Sequence, residues 1–203
     1  MDRLFGRETV TSPRNGTIVI RRWCGVPGIF VDGFDQSTGY IRTMWHQALR
    51  HVPKRNVKRV LMLGLCAGVG VSVIRRRFRG AAITVIDWDP FMIEIFKKLN
   101  PQKLPITIIE GDAFVEMPKL TDTFDVIIVD LFKGKEPAPQ LREDAYVQMI
   151  ARVLAPDGRC IVNAFATPAV FDVFDRSFER QGQWKYRYNT YALYQKHAPK
   201  ETK

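Results

Sequence analysis

Three aspartates stand at comparable places in this chain. Asp87, Asp112 and Asp130 each lie at, or just past, the end of a short apolar run rich in β-branched residues. One such aspartate is ordinary, because Asp often opens a turn. Three on separate runs predict carboxylates gathered on one rim of a sheet, where they can bind hydroxyls and amines or accept a proton. A glycine-bearing turn, Gly64-Leu-Cys-Ala-Gly68-Val-Gly70, follows the first apolar run, and Asp87 comes about twenty positions later. That order suits a nucleotide site: backbone N–H groups and a helix N-terminus beside the ligand, and a carboxylate on ribose hydroxyls. The same glycines would also serve a βαβ unit in which they only pack helix on strand.

The elements that must place these residues follow from hydrophobic period. Apolar runs at 60–63, 82–86, 106–110, 125–130 and 159–164 read as strands. Residues 71–78, 91–99, 142–154 and 168–181 read as intervening helices, Pro90 suiting a first helical turn. This alternation predicts an α/β, Rossmann-like, mostly parallel sheet with right-handed crossovers and ligands at the carboxyl ends of its strands. Residues 184–190 and 191–195 read as a terminal antiparallel pair. Ahead of the sheet, 17–23 and 29–31 suggest a small β-hairpin behind a loose lead-in at 1–15. A helix with Ile41, Met44, Trp45, Ala48 and Leu49 on one face follows, capped by Ser37 or Thr38 and ended by Pro53. The expected division is a β segment and helix at 1–52 and the main domain at 53–203. Residues 133–139, rich in proline and charge, read as a loop suited to a lid.

Composition bounds the function. The chain has 203 residues, 46% of them hydrophobic and 26% charged, as in an ordinary globular protein. No apolar run approaches the ~20 residues that span a bilayer, and the first ten residues lack a signal-peptide core. Three cysteines without ligand spacing predict free thiols in a reducing, cytoplasmic setting and no metal site. The net charge of +10 gathers at Arg21-Arg22, 54–59, 75–79 and 196–203. Such a surface attracts anionic partners and repels polyamines at long range, but no nucleic-acid motif accompanies it.

From about Ile29 to Ala164 the chain resembles the spermidine synthases (polyamine aminopropyltransferases), within the class I S-adenosylmethionine-dependent methyltransferase fold. The resemblance is carried by Val31-Asp-Gly-Phe-Asp-Gln-Ser-Thr, by Gly111-Asp112-Ala113-Phe114, and by Val129-Asp130 with its proline-containing loop. It implies that Gly64, Gly68, Asp87, Asp112, Ala113 and Gln36 hold S-adenosylmethionine or its decarboxylated form. It implies that Asp130 takes a proton from the attacking amine, and that a homodimer is possible. Trp45 and His46 fall at the family's Tyr-centred motif and, with Lys133, are expected beside the acceptor.

Departures accompany the resemblance. Ala67 stands where the synthases have the Asp that holds the amine of the decarboxylated cofactor, and Cys66 replaces a glycine. Lys133 supplies a cation where a cationic acceptor needs an anion. These departures favour a methyltransferase-like enzyme with a small acceptor of unknown identity. An aminopropyltransferase is the alternative, and a non-catalytic binding module is the third reading.

Overall fold

The computed structural model describes residues 5–54, 56–100, 106–134 and 136–197. The basic segment at 196–203 beyond His197, Arg55 of the 54–59 cluster and Lys135 of the 133–139 loop lie outside them.

The first four strands are β1 (Gly6–Ser12), β2 (Gly16–Trp23), β3 (Val26–Val31) and β4 (Phe34–Ser37), an antiparallel sheet in that order. The lead-in is therefore partly strand. Its sequence, GRETVTS, is polar and mostly exposed, so no apolar alternation announces it. Asp32-Gly33 does not simply stop β3. Both residues have positive φ, 47° and 84°, as a tight two-residue hairpin turn requires, and the chain returns as β4.

The helix α1 (Gly39–Leu49) leads into β5 (Arg59–Leu63), α2 (Val69–Arg77), β6 (Ala82–Asp87), α3 (Pro90–Leu99) and β7 (Ile106–Glu110). A single turn, α4 (Ala113–Glu116), precedes β8 (Phe124–Val129). The 133–139 loop contains a small ladder, β9 (Phe132–Lys133) on β10 (Glu136–Pro137). Then come α5 (Asp144–Val153), β11 (Leu154–Phe165), α6 (Val170–Ser177), β12 (Phe178–Tyr186) and β13 (Asn189–Lys196). The main sheet runs β12-β13-β11-β8-β5-β6-β7. Its five strands from β11 to β7 are parallel, and β12 and β13 pair antiparallel at one edge.

Helix α6 stops sooner than its periodicity suggests. Residues 178–186 alternate in exposure as an edge strand, so the terminal pair begins at Phe178 rather than Trp184. Thr38 caps α1 by position, but its hydroxyl makes no capping bond.

Strand side chains alternate between two cores. Leu61, Leu63, Ile127 and Val129 pack beneath α4, α5 and α6. Val60, Met62, Val126 and Ile128 pack beneath α1, α2 and α3. A third cluster joins Ile18, Ile20, Ile29 and Val31 of the first sheet to Met92 and Ile95 of α3. Successive strands β5, β6 and β7 move outward, and β8 returns to the other side of β5. The strand order thus reverses between β5 and β8, the place where open α/β sheets bind ligands.

Candidate active site

The carboxyl ends of β5, β6, β7 and β8 are tied together by main chain. Gly64 N donates to Ile86 O at 2.9 Å, Gly111 N to Asp87 O at 2.9 Å, and Asp130 N to Leu63 O at 2.9 Å. Gly64 has φ +93°, and a Cβ there would lie 2.3 Å from the Asp130 carbonyl oxygen. The turn can pass this close to Asp130 only because residue 64 is glycine. Gly68, with φ +92°, answers a different need: its missing Cβ would strike the Phe96 ring at 2.2 Å, so it packs turn on helix and does not line the cavity.

The rim encloses a cavity of about 250 Å³ lined by Gly64, Cys66, Asp87, Asp112, Ala113 and Asp130, among others. Asp87 is buried. One of its oxygens accepts from Leu65 N at 2.7 Å and the other from Asp89 N at 2.9 Å. Burial pushes its carboxyl above the usual carboxylate range against these two donors. Asp112 caps α4, accepting from Phe114 N at 2.9 Å, and stays half-buried on the cavity wall. Gln36 reaches the same cavity from β4.

A second cavity, about 290 Å³, opens on the other side of Asp130. Gln36, Asp130, Phe132 and Gly134 line both. Asp130 is 6% exposed, and burial pushes its carboxyl up to about 6. Asn163 Nδ2 donates to Asp130 Oδ1 at 2.9 Å, and the Cys66 thiol stands 3.9 Å from Oδ2. The support continues outward: Asn189 Nδ2 donates to Asn163 Oδ1 at 3.1 Å, and the Tyr40 hydroxyl donates to Asn189 Oδ1. Asn163 and Asn189 are themselves buried.

Several expected acceptor residues lie elsewhere. Trp45 is 1% exposed and packs in the core, its indole nitrogen near Gly70. His46 is exposed on α1, and neither lines either of these two cavities. Helical geometry explains this, because Tyr40, Ile41 and Met44 share the face toward the second cavity while residues 45 and 46 rotate away. Lys133 lines the first cavity rather than the second. Ala67 has φ 54° and packs with Ile18, Ile20 and Met92, so the side chain of the turn that faces the cavity is Cys66. Trp88, Tyr40, Asn163 and Asn189 escaped the sequence reading. Tyr40 alone had a signal, its spacing of four from Met44 on a capped helix.

The family model described as the spermine/spermidine synthase domain matches residues 38–176, more than half of the chain. The chain belongs to this family. Polyamine aminopropyltransferase 2 of Aquifex aeolicus is 26% identical over 185 residues, covering 83% of this chain and 37% of its own. Over the first curated relatives the chain spans a quarter to a half of their length. Spermidine synthase from Thermotoga maritima superposes with TM-score 0.69 at 17% identity, over 92% of this chain and 71% of that one. The N-methyltransferase NodS from Bradyrhizobium japonicum, in complex with S-adenosyl-L-homocysteine, superposes with TM-score 0.63 at 17% identity, over 78% and 88%. The class I methyltransferase-like fold is shared by all three chains.

Proposed function

We propose that this chain transfers a group from an adenosyl sulfonium to an amine, with aminopropyl transfer as the reaction. The observation that carries the reading is Asp130, a buried carboxylate common to two adjoining cavities. The names of the curated relatives favour aminopropyl transfer over the methyl transfer that Ala67 suggested, and residue 67 does not face the cavity.

The residues of the first cavity fit such a donor. Asp87 would accept from ribose hydroxyls, Asp112 and Ala113 would meet the base, and Gly64 would lend main chain to the wall. When bound, the donor supplies an electrophilic carbon on cationic sulfur, which leaves as a neutral thioether with the C–S bonding pair as the amine lone pair forms the N–C bond. Asp130 would orient that amine from the second cavity and take the proton it sheds. Asn163, fixed by Asn189 and Tyr40, would hold the carboxylate in place. Gln36 would bridge the two cavities.

Methyl transfer is the second reading, favoured by Lys133 on the wall of the donor cavity, where a cation suits the carboxylate of intact S-adenosylmethionine. Calorimetric titration with S-adenosylmethionine and with its decarboxylated form separates the two. Tighter binding of the decarboxylated form, abolished in Asp87→Ala, supports aminopropyl transfer. The reverse preference, weakened in Lys133→Ala, supports methyl transfer. Failure of both to bind removes the transferase reading.

A further inference from the structure

The family model's match begins at residue 38, yet earlier residues supply part of the first cavity. Asn15 stands in the turn between β1 and β2 and lines that cavity together with Asp87 and Trp88. The turn is fastened there. Ser12 Oγ accepts from Arg14 N at 3.0 Å and from Asn15 N at 3.2 Å, which closes the turn on itself. The Ser12 hydroxyl and Asn15 Nδ2 both donate to Asp89 Oδ2 at 2.7 Å. The Arg14 guanidinium carbon lies 5.3 Å from the centre of the Trp88 ring. The turn is thus held on the two residues that follow Asp87 in the chain.

These bonds fix what Asn15 offers a ligand. Asp89 is fully buried, and its carboxylate accepts from Phe91 N, Ser12 Oγ and Asn15 Nδ2. The amide therefore turns its NH2 group to Asp89 and keeps its acceptor, Oδ1, which meets no donor among the described residues. Asn15 is half-buried, so this acceptor stands at the cavity without being sealed off.

The proposed donor brings two ribose hydroxyls, and each needs an acceptor where water is excluded. Asp87 has two oxygens, and each already holds a main-chain N–H, from Leu65 and from Asp89. The Cys66 main-chain N–H acts on it as well. Its remaining capacity for a diol is reduced. Asp89 joins the two acceptors, its N–H on Asp87 and its carboxylate on Asn15.

We propose that Asn15 is a second ribose-binding residue, its Oδ1 accepting one hydroxyl of the adenosyl group while Asp87 accepts the other. The assignment rests on the proposal that an adenosyl sulfonium occupies the first cavity. It makes the turn between β1 and β2 a wall of the donor site.

The test titrates S-adenosyl-L-homocysteine and its 2′-deoxy and 3′-deoxy counterparts calorimetrically into the full chain and into Asn15→Ala. In the parent, each missing hydroxyl is expected to weaken binding at least about tenfold. In Asn15→Ala the intact ligand is expected to bind about tenfold more weakly. The penalty for one of the two deoxy ligands is expected to shrink to about twofold or less, while the other persists. Asn15→Leu, which keeps the bulk of the side chain and lacks the acceptor, is expected to give the same pattern. Uniform weakening of all three ligands with both penalties intact would make Asn15 a prop of the turn, overturning the assignment while the adenosyl site stands. Loss of both penalties would mark a collapsed ribose site and overturn it too. Failure of the parent to bind S-adenosyl-L-homocysteine removes the adenosyl site and the assignment together.

Discussion

Asp130 is both the group best placed to accept a proton and a group whose ionised form is costly to bury. Its carboxyl is pushed from 3.8 up to about 6, so the folded chain holds this proton more tightly than the unfolded chain. The stability this gives is fully present below 3.8 and is lost as pH rises to about 6. Asp130→Asn, close in shape and still able to accept from Asn163, escapes that loss. The variant is expected to be more stable than the parent by up to roughly 3 kcal/mol at pH 7.5, with the difference vanishing near pH 4. Denaturant titrations at the two pH values check this. Amine transfer by the variant should fall by at least about a hundredfold. In the parent, kcat/KM should decline below pH about 6 as Asp130 protonates, and a profile flat through that region would show that another group takes the proton. Sequence placed Asp130 at a strand end, but its neighbours Cys66 and Asn163 come from distant segments with no common motif. It likewise placed Trp45 by alignment of a motif, whereas the face of α1 that meets the cavity depends on how the helix is rolled.

At the level of elements, the coupling of the N-terminal sheet to α3 matters most. Asp89 is fully buried at the start of α3, and Phe91 N donates to its Oδ1 at 2.9 Å. Its Oδ2 accepts from Ser12 Oγ at 2.7 Å and Asn15 Nδ2 at 2.7 Å. The Asp89 carboxylate therefore caps the helix and anchors the end of β1, while the Asp89 main-chain N–H donates to Asp87 Oδ1. Asp89→Ala removes the cap and strands two donors. It should cost about 2–4 kcal/mol by thermal or denaturant unfolding, and Asp89→Asn should recover part of that. Weakened binding of S-adenosyl-L-homocysteine is expected alongside, because Asn15 and Val31 line the cavity proposed for the donor from the tethered sheet. The alternating strands and helices were legible because the inner parallel strands β5, β6 and β8 are largely buried on both faces and so read as continuous apolar runs. β1 and β12 were not, since edge strands covered on one side at most carry little apolar signal.

For the molecule as a whole, the +10 charge is the term that acts at a distance. Several of the arginines behind it have internal work. Arg77 donates to the carbonyls of Val52 and Arg50, Arg75 to that of Ala81, and Arg59 pairs with Asp122 at 2.7 Å. The excess still repels cationic substrates, and salt screens the repulsion. Raising ionic strength from low salt should therefore increase kcat/KM for amine acceptors, more steeply for a dication than for a monocation. A decrease with salt would point to local attraction by Asp35 and Asp130 prevailing over the global field. Among the described residues no helix is long and apolar enough to cross a membrane.

The sequence by itself determined the alternation of strands and helices from β5 to β11, the mostly parallel sheet they form, and the three carboxylates on one rim. Those features depend on local period and on the handedness of crossovers, both of which are written along the chain. The tertiary structure alone decided that Asp130 is shared by two cavities, that Lys133 lines the first of them, and that Ala67 packs into a core while Cys66 lines that cavity. It also brought Tyr40, Asn189 and Asn163 into line behind Asp130. These are matters of direction, set by positive φ at residues 64, 66, 67 and 68, by the packing of β4 against the turn, and by the antiparallel run of β13, which starts at the sheet's carboxyl edge, and no pattern of residue types records them.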